Sequence, residues 1–293
     1  MKKQIRGLLL GTAMVGVLAL AGCSGSAPDG LENITEGSVE EYVQAAKDAL
    51  AGADSFAADF EANVTLEGSG KTSTKGTVTQ GRTPLHMAVE TVMAFDGTEQ
   101  KYDIYLEEGE ETVNQYMNYD GEWTEMTLDQ DAALTGVRIY DTAANLQTFL
   151  NAAEGWELKE DGGKVILTAV IPEAKFYAVE ESGRLFQMAG MSGLSEVYFS
   201  GVGDVPVTLT LDSKTGAPVS YSIDLAKALE TVTNNVLTEL SGGTLEHGVV
   251  VEAYNITSAL TQLGDVEATP IPEEAKSSAI NYEKEITLLE SAE

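Results

Sequence analysis

The letters GSGKTS at residues 68–73, after the run VTLE, are those that close a phosphate-binding loop. Such a loop needs a buried strand, a glycine-rich turn, a lysine for the phosphates and a helix whose N-terminus faces them. Two of these four are missing. The first glycine of the pattern falls at Thr65, and the residues after Lys71, TSTKGTVTQ, are rich in threonine with a second glycine at Gly76. That composition favours strand over helix. The stretch therefore predicts a hairpin turn in which Lys71 does no nucleotide chemistry. Other reactive patterns are equally incomplete. His86 and His247 are the only histidines and stand apart, which leaves a zinc site short of ligands. Gly190-Met191-Ser192-Gly193 only approaches the nucleophile elbow G-x-S-x-G. A calcium loop starting at Tyr116 has that tyrosine at its first ligand position and Thr127 at its twelfth, where carboxylates are needed. Among 47 acidic side chains, chance carboxylate pairs are plentiful and do not by themselves mark a glycosidase. No catalytic residue, metal ligand or cofactor is expected, and the chain does not read as an enzyme.

The residue whose chemistry is best marked is Cys23, the only cysteine. Ahead of it, Lys2, Lys3 and Arg6 precede an uncharged apolar run over 8–21, the pattern of an export signal at residues 1–22. The signal closes on Leu20-Ala21-Gly22-Cys23, which resembles the lipobox of bacterial lipoproteins. That resemblance implies that Cys23 is diacylated, with palmitate-like chains, and becomes the first residue of the mature protein. Two acyl chains hold a membrane stably where one is marginal. The expected location is the outer face of the cell membrane. Residues 23–37, rich in Gly, Ser, Pro and acids, then read as a flexible tether that spans about 20 Å as a coil.

With 17 basic and 47 acidic side chains the net charge is −30, and loss of the signal makes it more negative still. Such a surface repels nucleic acid, and basic stripes with interleaved aromatics are absent. With its one thiol acylated, the exported domain has no disulfide to hold it and depends on a large apolar core.

The elements that build this core are legible by period. Ser38-Val39-Glu40-Glu41 is a capping box in front of a helical stripe, Val39, Tyr42, Val43, Ala46, Ala49 and Leu50. Phe56, Ala58, Phe60, Ala62, Val64 and Leu66 then alternate with polar residues at strand period. Hairpin turns are expected at Asp96-Gly97, Asp120-Gly121, Asp161-Gly162 and residues 213–216. Helices are expected over 134–153 and 173–188, after Asp224 with Leu225, Leu229, Val232, Val236 and Leu240 as its stripe, and after Ile271-Pro272. The sum is an α+β domain over 38–275 with roughly ten to twelve mostly antiparallel strands, followed by an acidic segment over 276–293 for which helix is the expectation.

In order, these features resemble the LolA-like superfamily of bacterial carrier and lipoprotein domains, which includes the LppX and LprG type. The matching pieces are the lipobox at Cys23, SVEEYVQAAKDAL leading into SFAADFEANVTL, the hairpins around YDGEW at 119–123, and IPEEAK at 271–276. The resemblance implies a strongly curved antiparallel sheet, a half-barrel, wrapped around a few helices, with room for acyl chains in some members. Against that plan the Gly/Met-rich stretch 183–203 reads as an insertion. Phe56, Phe60, Val64, Leu66, Met87 and Met93 are the candidates to line a cavity, since methionine adapts to changing partners. Two functions stand at this point. One is a tethered binding protein for a lipid or other apolar ligand. The other is a structural or interaction lipoprotein with a solid core that shows an acidic face to a protein partner the sequence does not identify.

Overall fold

The apolar alternation after Ser55 becomes β1 (Ser55–Leu66), whose even-numbered side chains Phe56 to Val64 are all buried. It is preceded by α1 (Val39–Ala51) and followed by β2 (Gly70–Arg82), β3 (Leu85–Phe95), β4 (Thr98–Glu108), β5 (Val113–Tyr119) and β6 (Glu122–Leu128). Two helices, α2 (Gln130–Val137) and α3 (Thr142–Ala152), lead to β7 (Glu154–Asp161) and β8 (Lys164–Ile171). Then come α4 (Glu173–Gly183), β9 (Val205–Asp212), β10 (Pro218–Asp224), α5 (Ala226–Leu240), β11 (Val251–Leu263), α6 (Glu273–Ser278) and β12 (Ile280–Asn281). This computed structural model describes residues 33–281, so the signal, Cys23 and the acidic end of the chain lie outside the described residues.

The strands form one sheet in the order β12-β6-β5-β4-β3-β2-β1-β11-β10-β9-β8-β7, antiparallel except where β12 joins β6. Two meanders, β1 to β6 and β7 to β11, are thus zipped together at the β1–β11 pair. Laid flat, twelve strands would spread over about 50 Å. Here both halves close on the same few helices: Phe60 of β1 meets Tyr140 edge-on at 5.0 Å, and Tyr221 of β10 meets Phe149 of α3 at 5.1 Å. The sheet is therefore strongly curved, with the helices in its concavity. At Gly76 on β2 the strands come so close that a Cβ would lie 2.0 Å from Glu90 O on β3. A bare glycine is what that bend requires.

The core helix α3 is fixed to the sheet centre by a polar pin. Thr142 Oγ1 and Ser258 Oγ are 2.7 Å apart, and Ser258 Oγ donates to Asp59 O at 3.1 Å. Each hydroxyl is buried and partnered, as burial demands.

Several sequence expectations are corrected. The helix expected over 134–153 is two helices with a tight turn at Arg138–Tyr140 between them, because Asp129 and Asp141 each cap a separate start. Asp129 Oδ1 accepts from Ala132 N at 2.8 Å and Asp141 Oδ1 from Ala144 N at 2.9 Å. The helix expected over 173–188 stops at Arg184, whose φ is 51°. The stretch 183–203, read as an insertion, packs into the core: Leu185, Phe186, Phe199 and Val202 are buried and Phe186 stacks on Phe199 at 5.9 Å. On α5 the stripe fades: Leu229 and Val232 are buried, but Leu240 is exposed. The turn expected at Asp161-Gly162 sits one residue on, at Gly162 and Gly163. Glu41 reaches past Ser38 to take the N–H groups of Thr35, Glu36 and Gly37, so the inner end of the expected tether is held against the domain. The boundary expected at 275 falls inside α6. That helix covers the outer face of the sheet, where Ala275 packs with Ala88, Tyr105, Tyr116 and Trp123.

Candidate functional site

Side chains on the concave face can be followed row by row, because directly opposed residues in an antiparallel pair share a face. Along β3 the inner series begins with Met87, 2% exposed, then Val89 and Thr91, both buried. It continues with Met93, half-buried, and ends at Phe95, 54% exposed. On β4 the series passes from buried Leu106 and Ile104 to half-buried Tyr102 and Gln100. On β5 it runs from buried Val113 and Gln115 through half-buried Met117 to Tyr119, 47% exposed. Register puts Thr91 opposite Tyr102 and Tyr102 opposite Tyr119, so along this row burial falls from β3 to β5, and Met117 lies one row deeper, opposite Ile104. Toward the hairpin tips Met93, Phe95, Tyr102, Met117 and Tyr119 form a partly covered apolar trough.

The trough has ordered polar points. Tyr102 Oη donates to Met117 Sδ at 3.7 Å, and Tyr119 Oη donates to Gln100 Oε1 at 2.8 Å. Burial raises the Tyr102 phenol above its ordinary pKa, so it stays neutral. Adaptable Met93 and Met117 beside aromatic rings suit a surface that receives apolar matter.

Of the six cavity candidates, Phe56, Phe60, Val64 and Met87 are buried in the main core. Met93 lies in the trough, and half-buried Leu66 flanks it across β2. The sequence reading missed Phe95, Tyr102 and Tyr119. A signal for Phe95 and Tyr119 was present, since each directly precedes an Asp-Gly turn, where a large apolar side chain has little to bury it.

The opposite ends of β2 and β3 hold a second feature, a cleft of about 490 Å3 against α2 and the start of α3. Gln80, Arg82 and Leu85 line it from the sheet, and Leu134, Val137, Arg138 and Asp141 from the helices. None of the six cavity candidates lines it. The sequence reading missed it altogether, because its walls come from strands and helices some fifty residues apart.

The phosphate-loop letters do not build a phosphate-binding loop in this geometry. Residues 67–69 form the turn between β1 and β2, Lys71 opposes Thr65 in the ladder, and no helix follows. Asp96 Oδ1 stands over Gly70, so close that a Cβ there would be 2.4 Å from it, and its charge opposes any phosphate. Among the described residues no group of three or more His, Cys, Asp or Glu is placed to hold a metal ion, and no helix is long and apolar enough to cross a membrane.

A family profile matches residues 38–280, nearly the whole described chain. The chain belongs to the family of unknown function DUF6612. A search of curated proteins finds no match. Among solved structures, this DUF6612 chain is similar to the lipoprotein LppX of Mycobacterium tuberculosis at 13% identity and a TM-score of 0.42, over 80% of this chain and 100% of that one. It is also similar to LprF from Mycobacterium bovis at 12% identity and a TM-score of 0.43, over 80% and 96% of the two chains. At these identities and scores, the function of this DUF6612 member has to come from its own residues.

Proposed function

We propose that this protein is a non-enzymatic binding lipoprotein, held by acylated Cys23 to the outer face of the cell membrane, that takes a lipid or other apolar ligand on its concave face. The observation that carries this reading is the trough of Met93, Phe95, Tyr102, Met117 and Tyr119, in which Phe95 and Tyr119 are exposed and the other three half-buried. Apolar side chains gathered on a concave surface mark binding sites. Each methylene buried there contributes roughly 0.8 kcal/mol, so a dozen give about 10 kcal/mol before the cost of association.

Native mass spectrometry of the protein made in its own host tests this. A co-purified apolar adduct is expected in the wild type. It should be absent from a Met93→Glu/Phe95→Glu variant whose melting temperature is little changed, because these side chains are not core. No adduct in the wild type, or an adduct unaffected by both substitutions, refutes the trough as a ligand site. In that case the exposed aromatics serve a protein partner.

A further inference from the structure

The cleft at the other end of the sheet has a chemistry of its own. Gln80 sits on its floor, 3% exposed, and donates from Nε2 to Asp141 Oδ2 at 3.3 Å. That bond sets which way the amide points. Its Oε1 is buried beside the cleft and has no donor among the described residues, an arrangement that costs free energy unless something supplies one. At the rim stand Arg82 and Arg138, both exposed. In a chain with 47 acidic side chains, neither guanidinium forms an ion pair or a side-chain hydrogen bond among the described residues. Two of the carboxylates at this end of the sheet are already engaged. Asp141 caps α3 through Ala144 N and takes the Gln80 amide, and Glu108 accepts Leu85 N at 2.6 Å. Leu85, Leu134 and Val137 complete the wall with apolar surface.

We propose that this cleft binds an anionic polyol, a phosphorylated or carboxylated group that also carries a hydroxyl. The planar forks of Arg82 and Arg138 match the oxygens of a phosphate or carboxylate. The hydroxyl donates to Gln80 Oε1, and the C–H face of the polyol lies on Leu85 and Val137. A glycerol phosphate unit has this chemistry, either free or as the headgroup of a lipid. The lipid source is within reach if Cys23 is acylated. Ile34 N donates to Lys214 O at 2.6 Å, so the chain enters the domain at the β9–β10 turn, at the same end of the sheet as the cleft. The site itself does not depend on the trough or on the apolar ligand proposed for it.

Calorimetry with the full-length protein in a nonionic detergent tests the proposal, using sn-glycerol 3-phosphate, methyl phosphate, glycerol and dihexanoylphosphatidylglycerol as probes. Saturable binding of at least one glycerol phosphate probe is expected, tighter than methyl phosphate, with none for glycerol. Arg82→Gln and Arg138→Gln should each weaken it about tenfold, the loss of one charge-assisted contact. Both positions are exposed, so unchanged melting curves will show that the variants fold. Much tighter binding of the dihexanoyl lipid assigns the headgroup as source, and equal affinities assign the free phosphate. No saturable binding, methyl phosphate binding as well as glycerol phosphate, or full affinity in both arginine variants overturns the proposal.

Discussion

Gly76→Ala tests whether the half-barrel depends on a crease between β2 and β3. An added Cβ would lie 2.0 Å from Glu90 O and 2.9 Å from Thr91 Cα, both backbone atoms, whereas ordinary contact begins at 3.4 Å. The neighbour is not a flexible side chain that can swing aside, so β3 has to move away from β2 by more than about 1 Å, at an overpacking cost of about 1–3 kcal/mol. Moving the ladder where Thr77 opposes Glu90 and Lys75 opposes Val92 weakens at least one backbone hydrogen bond, about 1 kcal/mol more. The sum of about 2–4 kcal/mol lowers the melting temperature of a domain this size by about 4–16 °C. Gly136→Ala is the matched control. This glycine lies in α2 with nothing within 4 Å of an added Cβ, so the helix preference for alanine should raise stability by about 0.8–1 kcal/mol. Circular dichroism melts of the two variants read out opposite signs. If Gly76→Ala melts with the wild type while Gly136→Ala is stabilised, the sheet does not need its glycine to bend.

Two further substitutions probe the ends of the sequence reading. If the lipoprotein reading holds, Cys23→Ser should shift the protein from the membrane fraction to the soluble one, with intact mass used to confirm signal removal, because on that reading the acyl chains supply the anchoring and an acidic domain supplies none. A soluble wild-type product with a free thiol contradicts the lipoprotein reading. Lys71→Ala should change stability by no more than about 0.5 kcal/mol, as exposed positions do. Calorimetry of the wild type with ATP and magnesium should show no binding heat, and a saturable signal that Lys71→Ala abolishes contradicts the hairpin account.

Much of the fold was legible because local period and turn chemistry decide it. The alternation from Phe56 to Leu66, the Asp-Gly turns at 96 and 120, and the box that opens at Ser38 state their elements within ten residues. Both Asp turns adopt the positive φ their type needs, 47° at Asp96 and 51° at Asp120. The errors fall where capping outweighs period. Leu134 to Ala153 has helical spacing throughout, yet Asp141 offers its carboxylate to Ala144 N and restarts the helix, which turns Tyr140 into the ring that meets Phe60. The packing of the stretch 183–203 was not legible because Gly and Met carry no period of their own. Its phenylalanines find their place only against α4 and Tyr254, whose hydroxyl donates to Leu185 O.

By itself the sequence determined the kind of elements and their order, since each depends on residues close together along the chain. Which apolar side chains stay uncovered was a tertiary decision. Phe60 and Phe95 both face the concave side, and tertiary packing buries the first and leaves the second open. The cleft is likewise invisible in one dimension. Gln80, Arg82 and Arg138 meet because a hairpin end and a restarted helix converge, and convergence over such separations is set by how the whole sheet curves.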